Sequence, residues 1–373
     1  MKTMPVIQRN FFRLLRSGTF RRKDEPLEPM SEWKWDRLCQ LALMHGVGAL
    51  VADGIKAYSD DFFLQLSDRQ KDNWHRITEE TEERNKETDM CLAELFDTFN
   101  HAHLRPILLK GQGFASLYDR PDHRSGGDID IYFPYKPQAE KADAWAIEHG
   151  TEKDESDRNM LKYFRHGIKI EHHKQMMYLT NALLNRRLQK IIDSEIRCCD
   201  SAYRIINGTK IEIVPHTLSL LIIIVRMARY IMNEGISLKQ LIDFGMFLRK
   251  EGDKVDFVKL QKWIGKLQLQ HMALLEGALL VKLMKFDEDE LPFINFKNDT
   301  DTTTITDDIF DMNGSHTVDW FFTQGKHVFV TTSNSNAMLW HIRHTAKFFK
   351  YYPAEIFTNF FASFARSLSR IEE

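Results

Sequence analysis

The sequence lacks a surplus of either charge. Its 373 residues carry 51 Lys and Arg against 53 Asp and Glu, a net charge of −2. A protein that tracks long nucleic acid neutralises phosphates with a basic excess. Extended DNA or RNA binding is therefore not expected, although a short RNA end stays within reach. Long apolar runs are missing too. The longest, LSLLIIIV at 218–225, falls far short of the roughly 20 residues that span a bilayer, so no transmembrane segment is expected. Cysteine is scarce, and Cys39, Cys91, Cys198 and Cys199 match no zinc spacing. The adjacent Cys198 and Cys199 are too close for an ordinary bridge. Reduced thiols in a cytoplasmic protein are the expectation. Repeats and low-complexity tracts are absent. The first 23 residues contain no acid, yet they have neither the continuous apolar core nor the small-residue cleavage site of a secretory signal. A helix packed on the domain behind it is expected there, ahead of a transit peptide or a surface-lying helix.

What is present falls into three regions. Residues 1–103 read as helical, with Ser31 as a helix N-cap and a break at His45-Gly46-Val47. Residues 104–215 change character to a mixed α/β unit. RPILL is a short strand, KGQG a turn, FASLYD a short helix and DIDIYF a strand by alternation. KPQAEKADAWAIEHG is a helix ended by Gly150. MLKYFRHGIKIEHH reads as two strands joined at His166-Gly167, followed by a helix at about 181–193. YRIINGTKIEIVP is a hairpin on Asn207-Gly208. Residues 216–373 are helical again. Within them, 287–315 is acidic and rich in Thr, Asp and Asn, and reads as a long surface loop.

One stretch resists a purely structural reading: RSGGDIDIYF, residues 124–133. Side chains alternate across a strand. Asp128 and Asp130 share one face, while Ile129, Ile131 and Phe133 share the other and pack inward. Paired carboxylates repel each other, and burial would raise their pKa values. The arrangement makes sense on a solvated face with a divalent cation between the two acids. Magnesium takes oxygen ligands, commonly one or two carboxylates plus substrate phosphates. The dipeptide pattern alone is weak, because exposed strand edges carry such pairs by chance. The context strengthens it. RPILL ends at Lys110-Gly111-Gln112-Gly113 before a helix, and amides at a helix N-terminus cradle phosphate. A third acid, Glu171, alternates with Ile168 and Ile170 on a later strand. Phosphate cradle, two aspartates and a third acid suit two-metal phosphoryl transfer.

The segment LLKGQGFASLY…RSGGDIDIYF resembles the signature of the DNA polymerase beta-like nucleotidyltransferase superfamily. More narrowly, the chain is similar to uncharacterised bacterial nucleotidyltransferases, which share an LKG strand end, an R…DIDL strand and a later acidic-x-His strand. The likeness extends to WDRLCQLALMHGVGALV, to ERNKETDMCLAELFDTFNHAHLRPILLKG and to ISLKQLIDFGMFL, covering about 32–285. It implies an α+β fold: a polymerase beta-like core, a small mixed sheet with helices, flanked by helical regions on both sides. It also implies a magnesium-dependent transferase, using two ions, that moves a nucleoside monophosphate from an NTP to an acceptor hydroxyl or phosphate and releases pyrophosphate. In that reading Asp128, Asp130 and Glu171 are the catalytic metal ligands. Lys110, Gly111, Gln112, Arg124 and Ser125 contact the nucleotide, and His173 is an accessory. Gln112 departs from the superfamily's Gly or Ser, leaving a backbone or an amide contact to phosphate. The gap to the aspartates is longer than the commonest superfamily spacing, and RMARY stands where relatives often carry a His.

Blander readings sit beside these. Lys169 serves as a surface partner of Glu171. Asp243 reads as a cap or a buried-pair residue. Arg343, Lys347 and Lys350 fall at helical spacing in HIRHTAKFFKYYP, either as a solvated face opposite aromatic core or as a hold on an anionic acceptor. The acceptor is left open among a small molecule, a sugar phosphate, a protein and a tRNA end. The competing functions are a non-catalytic nucleotide-binding or assembly protein on the same fold, and a toxin-like nucleotidyltransferase acting on tRNA or protein.

Overall fold

The computed structural model describes residues 4–23, 25–157, 159–233, 235–296, 300–310 and 347–359. The chain divides into two compact units. One is Met1–Met176 with Ser201–Val214, the other Met177–Asp200 with Pro215–Glu373.

The first unit opens with four helices: α1 (Val6–Phe20), α2 (Glu32–Met44), α3 (Gly48–Ala57) and the long α4 (Asp68–His101). Ser31 stands at the N-cap of α2, but its side chain makes no capping hydrogen bond. The break at His45–Val47 is real, and Gly46 turns it with φ +61°. The acid-free N-terminal stretch packs as α1 against α3, burying Phe11, Phe12, Leu14 and Leu15. Two glycines allow the close crossing. A Cβ on Gly18 would lie 1.9 Å from the Leu50 carbonyl oxygen, and one on Gly54 2.0 Å from that of Leu14.

A seven-stranded mixed sheet follows, making the chain α+β. Its strands are β1 (Ile107–Leu108), β2 (Ile129–Tyr132), β3 (Thr151–Asp154), β4 (Met160–Arg165), β5 (Ile168–His173), β6 (Ala202–Ile206) and β7 (Thr209–Ile213). Their order is β3-β4-β5-β2-β1-β7-β6. The β2/β5 and β1/β7 pairs are parallel and the others antiparallel. The β6–β7 turn is Asn207-Gly208 with φ +46° and +79°, as a tight hairpin requires. The edge strand β3 was not expected: its burial pattern is exposed, so no apolar alternation marks it. The helix expected in FASLYD is a single turn that starts earlier, α5 (Gln112–Ala115).

Ile129, Ile131, Phe133, Ile168 and Ile170 pack with Leu92, Leu95, Phe96 and Phe99 of α4 and with Ala142 and Ala146 of α6 (Lys136–His149). Phe99 meets Phe133 and Trp145 edge-on at 5.3 and 5.2 Å. This apolar layer fixes the strands, and with them the opposite face of β2 and β5.

The second unit holds α7 (Ala182–Cys198), α8 (His216–Asn233), α9 (Leu238–Glu251), α10 (Phe257–Lys266), α11 (Gln270–Met284) and α12 (Thr303–Phe310). The run LSLLIIIV is buried inside α8. Among the described residues no helix is long and apolar enough to cross a membrane. Within the stretch read as helical, α10 and α11 are separated at Leu267–Leu269, where Gln268 has φ +58°. The expected long loop at 287–315 is corrected in its described part. Leu291, Phe293, Ile305 and Ile309 are buried. The last two lie four residues apart on α12, just before which Asp301 Oδ1 accepts from Thr303 N at 2.9 Å. The aromatic C-terminal helix expected from 357 lies mostly outside the described residues, as does Arg343.

Candidate active site

Strand register assembles the site. Asp130 pairs with Glu171 across the parallel β2/β5 ladder, and Tyr132 with His173. Alternation sorts the two adjacent histidines of EHH onto opposite faces. His172 enters the core, its Nδ1 3.0 Å from Asp143 Oδ1 and its Nε2 3.1 Å from the Tyr163 hydroxyl. Burial pushes its pKa below the usual histidine value. His173 turns the other way, its Nε2 2.7 Å from Asp130 Oδ1 and 3.4 Å from Glu171 Oε2.

The carboxylate face was expected to be solvated, and the structure corrects this. Asp130 has 0% of its surface exposed and Glu171 6%, while the Asp128 side chain keeps 28%. The repulsion is offset by basic groups rather than by water. Lys110 Nζ lies 3.3 Å from Asp128 Oδ1 and 3.1 Å from Asp130 Oδ2. Lys169 Nζ lies 2.5 Å from Glu171 Oε1. With His173, three basic groups face three acids. Burial and the neighbouring Asp128 charge raise the Asp130 pKa, against Lys110 and His173. Burial also opposes ionisation of Glu171, yet hydrogen bonds from His173 and Lys169 hold it well below the carboxylate range. Burial would lower the His173 pKa, but Asp130 and Glu171 outweigh it and push it up to about 9.

The residues fit a divalent cation. One ligand atom each from Asp130, Glu171 and His173 lie within 4.8 Å of one another. The buried Asp130 Oδ2 accepts no hydrogen bond, although Lys110 is close. The carboxylates of Asp130 and Glu171, with Asp128 beside them, suit magnesium or manganese.

The glycine turn sits next to these acids. Gly111 has φ +68°, and a Cβ there would lie 3.3 Å from the Asp128 carbonyl oxygen. Leu109 N donates to Asp130 O at 3.0 Å, tying the strand end to β2. The Gln112 side chain is directed to α4, where Nε2 donates to Asp89 Oδ1 at 2.6 Å and lies 3.4 Å from Asn85 Oδ1. Arg124 is buried, its carbonyl accepts from Asn85 Nδ2 at 2.9 Å, and its guanidinium is 3.5 Å from the Ser125 carbonyl. Asp243 is buried in α9 of the second unit.

Sequence reasoning missed the contribution of α4. Asn85, Thr88, Leu92 and Phe99 form its buried stripe. Extending that helical period backwards from Leu92 would have marked Asn85 as a buried polar residue. It also missed His123, buried between Asp53 (2.6 Å) and Glu82 (2.8 Å). Glu82, Asp122 and His123 lie close enough to share a cation, but Arg120 already pairs with Glu82 at 2.8 Å.

The chain belongs to the uncharacterised nucleotidyltransferase family, whose profile matches residues 31–285. The crystal structure of an antigenic nucleotidyltransferase-like protein from Paracoccidioides brasiliensis is similar over 54% of this chain and 93% of its own, at 12% identity and a TM-score of 0.35. No curated protein matches the chain.

Proposed function

We propose that the protein is a magnesium-dependent nucleotidyltransferase, with a polymerase beta-like catalytic region at 104–215 between helical regions at 1–103 and 216–373. It transfers a nucleoside monophosphate from an NTP to an acceptor hydroxyl or phosphate, releasing pyrophosphate. One observation carries the reading: the buried Asp130–Glu171–His173 cluster beside Asp128 and the Gly111 turn in a chain of this family.

Asp128, Asp130 and Glu171 would hold two magnesium ions, with His173 alongside, and the bound ions would supply Lewis-acid stabilisation of the phosphoryl oxygens. The chain's own groups do the rest. Backbone amides of Gly111 and Gln112 receive the phosphates, since the Gln112 amide is engaged by Asp89. Lys110, now bridging two aspartates, and Arg124 neutralise the triphosphate charge, and Ser125 contacts the nucleotide. Glu171, held ionised, completes the second metal site and orients or deprotonates the acceptor. The acceptor class stays open among small molecule, sugar phosphate, protein and tRNA end. A cytoplasmic location goes with the free cysteines.

The test is incubation with alpha-labelled ATP, GTP, CTP and UTP in cell extract. One extract fraction should take label from wild-type protein and none from Asp128→Asn/Asp130→Asn. Transfer that survives this double substitution overturns the assignment.

A further inference from the structure

The segments that surround the acidic cluster are joined through one side chain on a helix outside the sheet. Asn85 is 2% exposed. Its Nδ2 donates to the Asp122 carbonyl at 2.6 Å and to the Arg124 carbonyl at 2.9 Å. Its Oδ1 lies 3.4 Å from Gln112 Nε2. Both donors and the acceptor are thus committed, to two segments that each lie far from Asn85 in sequence. One is the 122–126 loop that leads into Asp128; the other is the Gly111-Gln112 turn. Asp89, one helical turn on, accepts from Gln112 at 2.6 Å. The approach is close: a Cβ on Gly126 would lie 2.8 Å from Asn85 Oδ1 and 3.6 Å from Gln112 Oε1.

We propose that Asn85, supported by Asp89, is a positioning residue that holds the glycine turn and the 122–126 loop in register with the acids of β2. Its hydrogen bonds go to the loop and the turn rather than to the acids. It acts because a carbonyl-binding amide on a helix is a fixed post, and it ties the two segments to each other as well as to α4. Its role in transfer rests on the function proposed above, whereas its role in ordering the two segments does not.

The experiment compares wild type with Asn85→Ala in three measurements: magnesium titration by calorimetry, amide exchange over 110–113 and 122–126, and kcat and KM for label transfer. His123 still anchors the loop through Asp53 and Glu82 in this variant. Expected are faster exchange in both segments, unchanged magnesium affinity, and a kcat lower by on the order of 10²-fold, as for an ångström-scale misplacement. Unchanged exchange in either segment overturns the proposal, as does a kcat loss no larger than the lost folded fraction. Wild-type protein that transfers no label removes the transferase reading, and exchange then decides the positioning role alone. If Asn85→Ala does not fold, Gly126→Ala asks the same question from the other side. Its methyl should push the loop off Asn85 and speed exchange over 122–126, and unchanged exchange there again overturns the proposal.

Discussion

Replacing Lys110 by Met should move metal binding and catalysis in opposite directions. Lys110 occupies the space between Asp128 and Asp130, at 3.3 and 3.1 Å. A cation entering between those acids must first displace the ammonium. A contact to a charged group is worth about 1.5–3 kcal/mol net. Lys110 is 27% exposed, so solvent screens part of this, and about 2–3 kcal/mol for the two contacts together is a fair figure. At about 1.4 kcal/mol per factor of ten, Lys110→Met should bind magnesium roughly 30- to 100-fold more tightly. Without metal the variant should be less stable by a similar amount, because Asp130 is left buried beside Asp128 with one cation fewer. Melting temperatures in EDTA should therefore fall, and magnesium should restore them. Transfer should slow, since the same ammonium is assigned to the triphosphate. Calorimetric magnesium titrations of both proteins read the first effect directly. Unchanged or weaker magnesium affinity in Lys110→Met would refute the view that this lysine stands in for the metal.

Four further outcomes follow from His173, Glu276 and Gly54. His173 is charged at neutral pH with a pKa of about 9, and only neutral imidazole ligates metal. Metal binding at pH 7.5 should release a proton that His173→Ala does not release, seen as a buffer-dependent calorimetric enthalpy. The raised pKa also stabilises the fold below its unfolded value of 6.5, by on the order of 3 kcal/mol, and that contribution is lost as pH rises through about 9; a metal-free pH series of urea melts checks it. Glu276 is fully buried with neither oxygen hydrogen-bonded, and burial raises its pKa well above normal. Its folded form keeps a proton that the unfolded chain loses above its usual 4.5. Wild-type stability should therefore fall by about 1.4 kcal/mol per pH unit above that value, until the folded pKa is reached. Glu276→Gln should flatten this slope, and an unaltered slope excludes the account. Gly54→Ala drives a methyl into the Leu14 backbone. It should cost about 1–3 kcal/mol or more and expose α1 to limited proteolysis.

Most of the site was legible because strand periodicity is a short-range property. Asp128, Asp130, Ile129 and Ile131 occupy the faces that alternation assigns them, and the same rule places Glu171 with His173. Helical periods located α8 and α9 for the same reason. Failures occurred where a local pattern meets a distant partner. The strand β3 has no apolar alternation and exists because β4 offers an edge to pair with. The acidic run at 287–315 looks solvated by composition, but a few apolar residues at the right spacing are enough to anchor it.

The solvation error at the acids has the same origin, and it sharpens the chemistry. Alternation says which side chains share a face and nothing about what covers that face. Asp130 is buried because Lys110 comes from the end of β1, and Lys169 and His173 from β5. The cluster is therefore already neutralised before any metal arrives. Such a site favours a ligand that brings both charges at once, a divalent cation on a polyphosphate. The cation takes the acids that the bases release, and the phosphates take the bases. A bare cation must leave Lys110 without a partner, and a bare triphosphate must leave Asp130 uncompensated in the interior. Magnesium and nucleotide should accordingly bind with positive coupling, each tightening the other. Calorimetry with either one, then with both, measures it. Equal nucleotide affinity with and without magnesium would show that the bases on this face do not exchange partners.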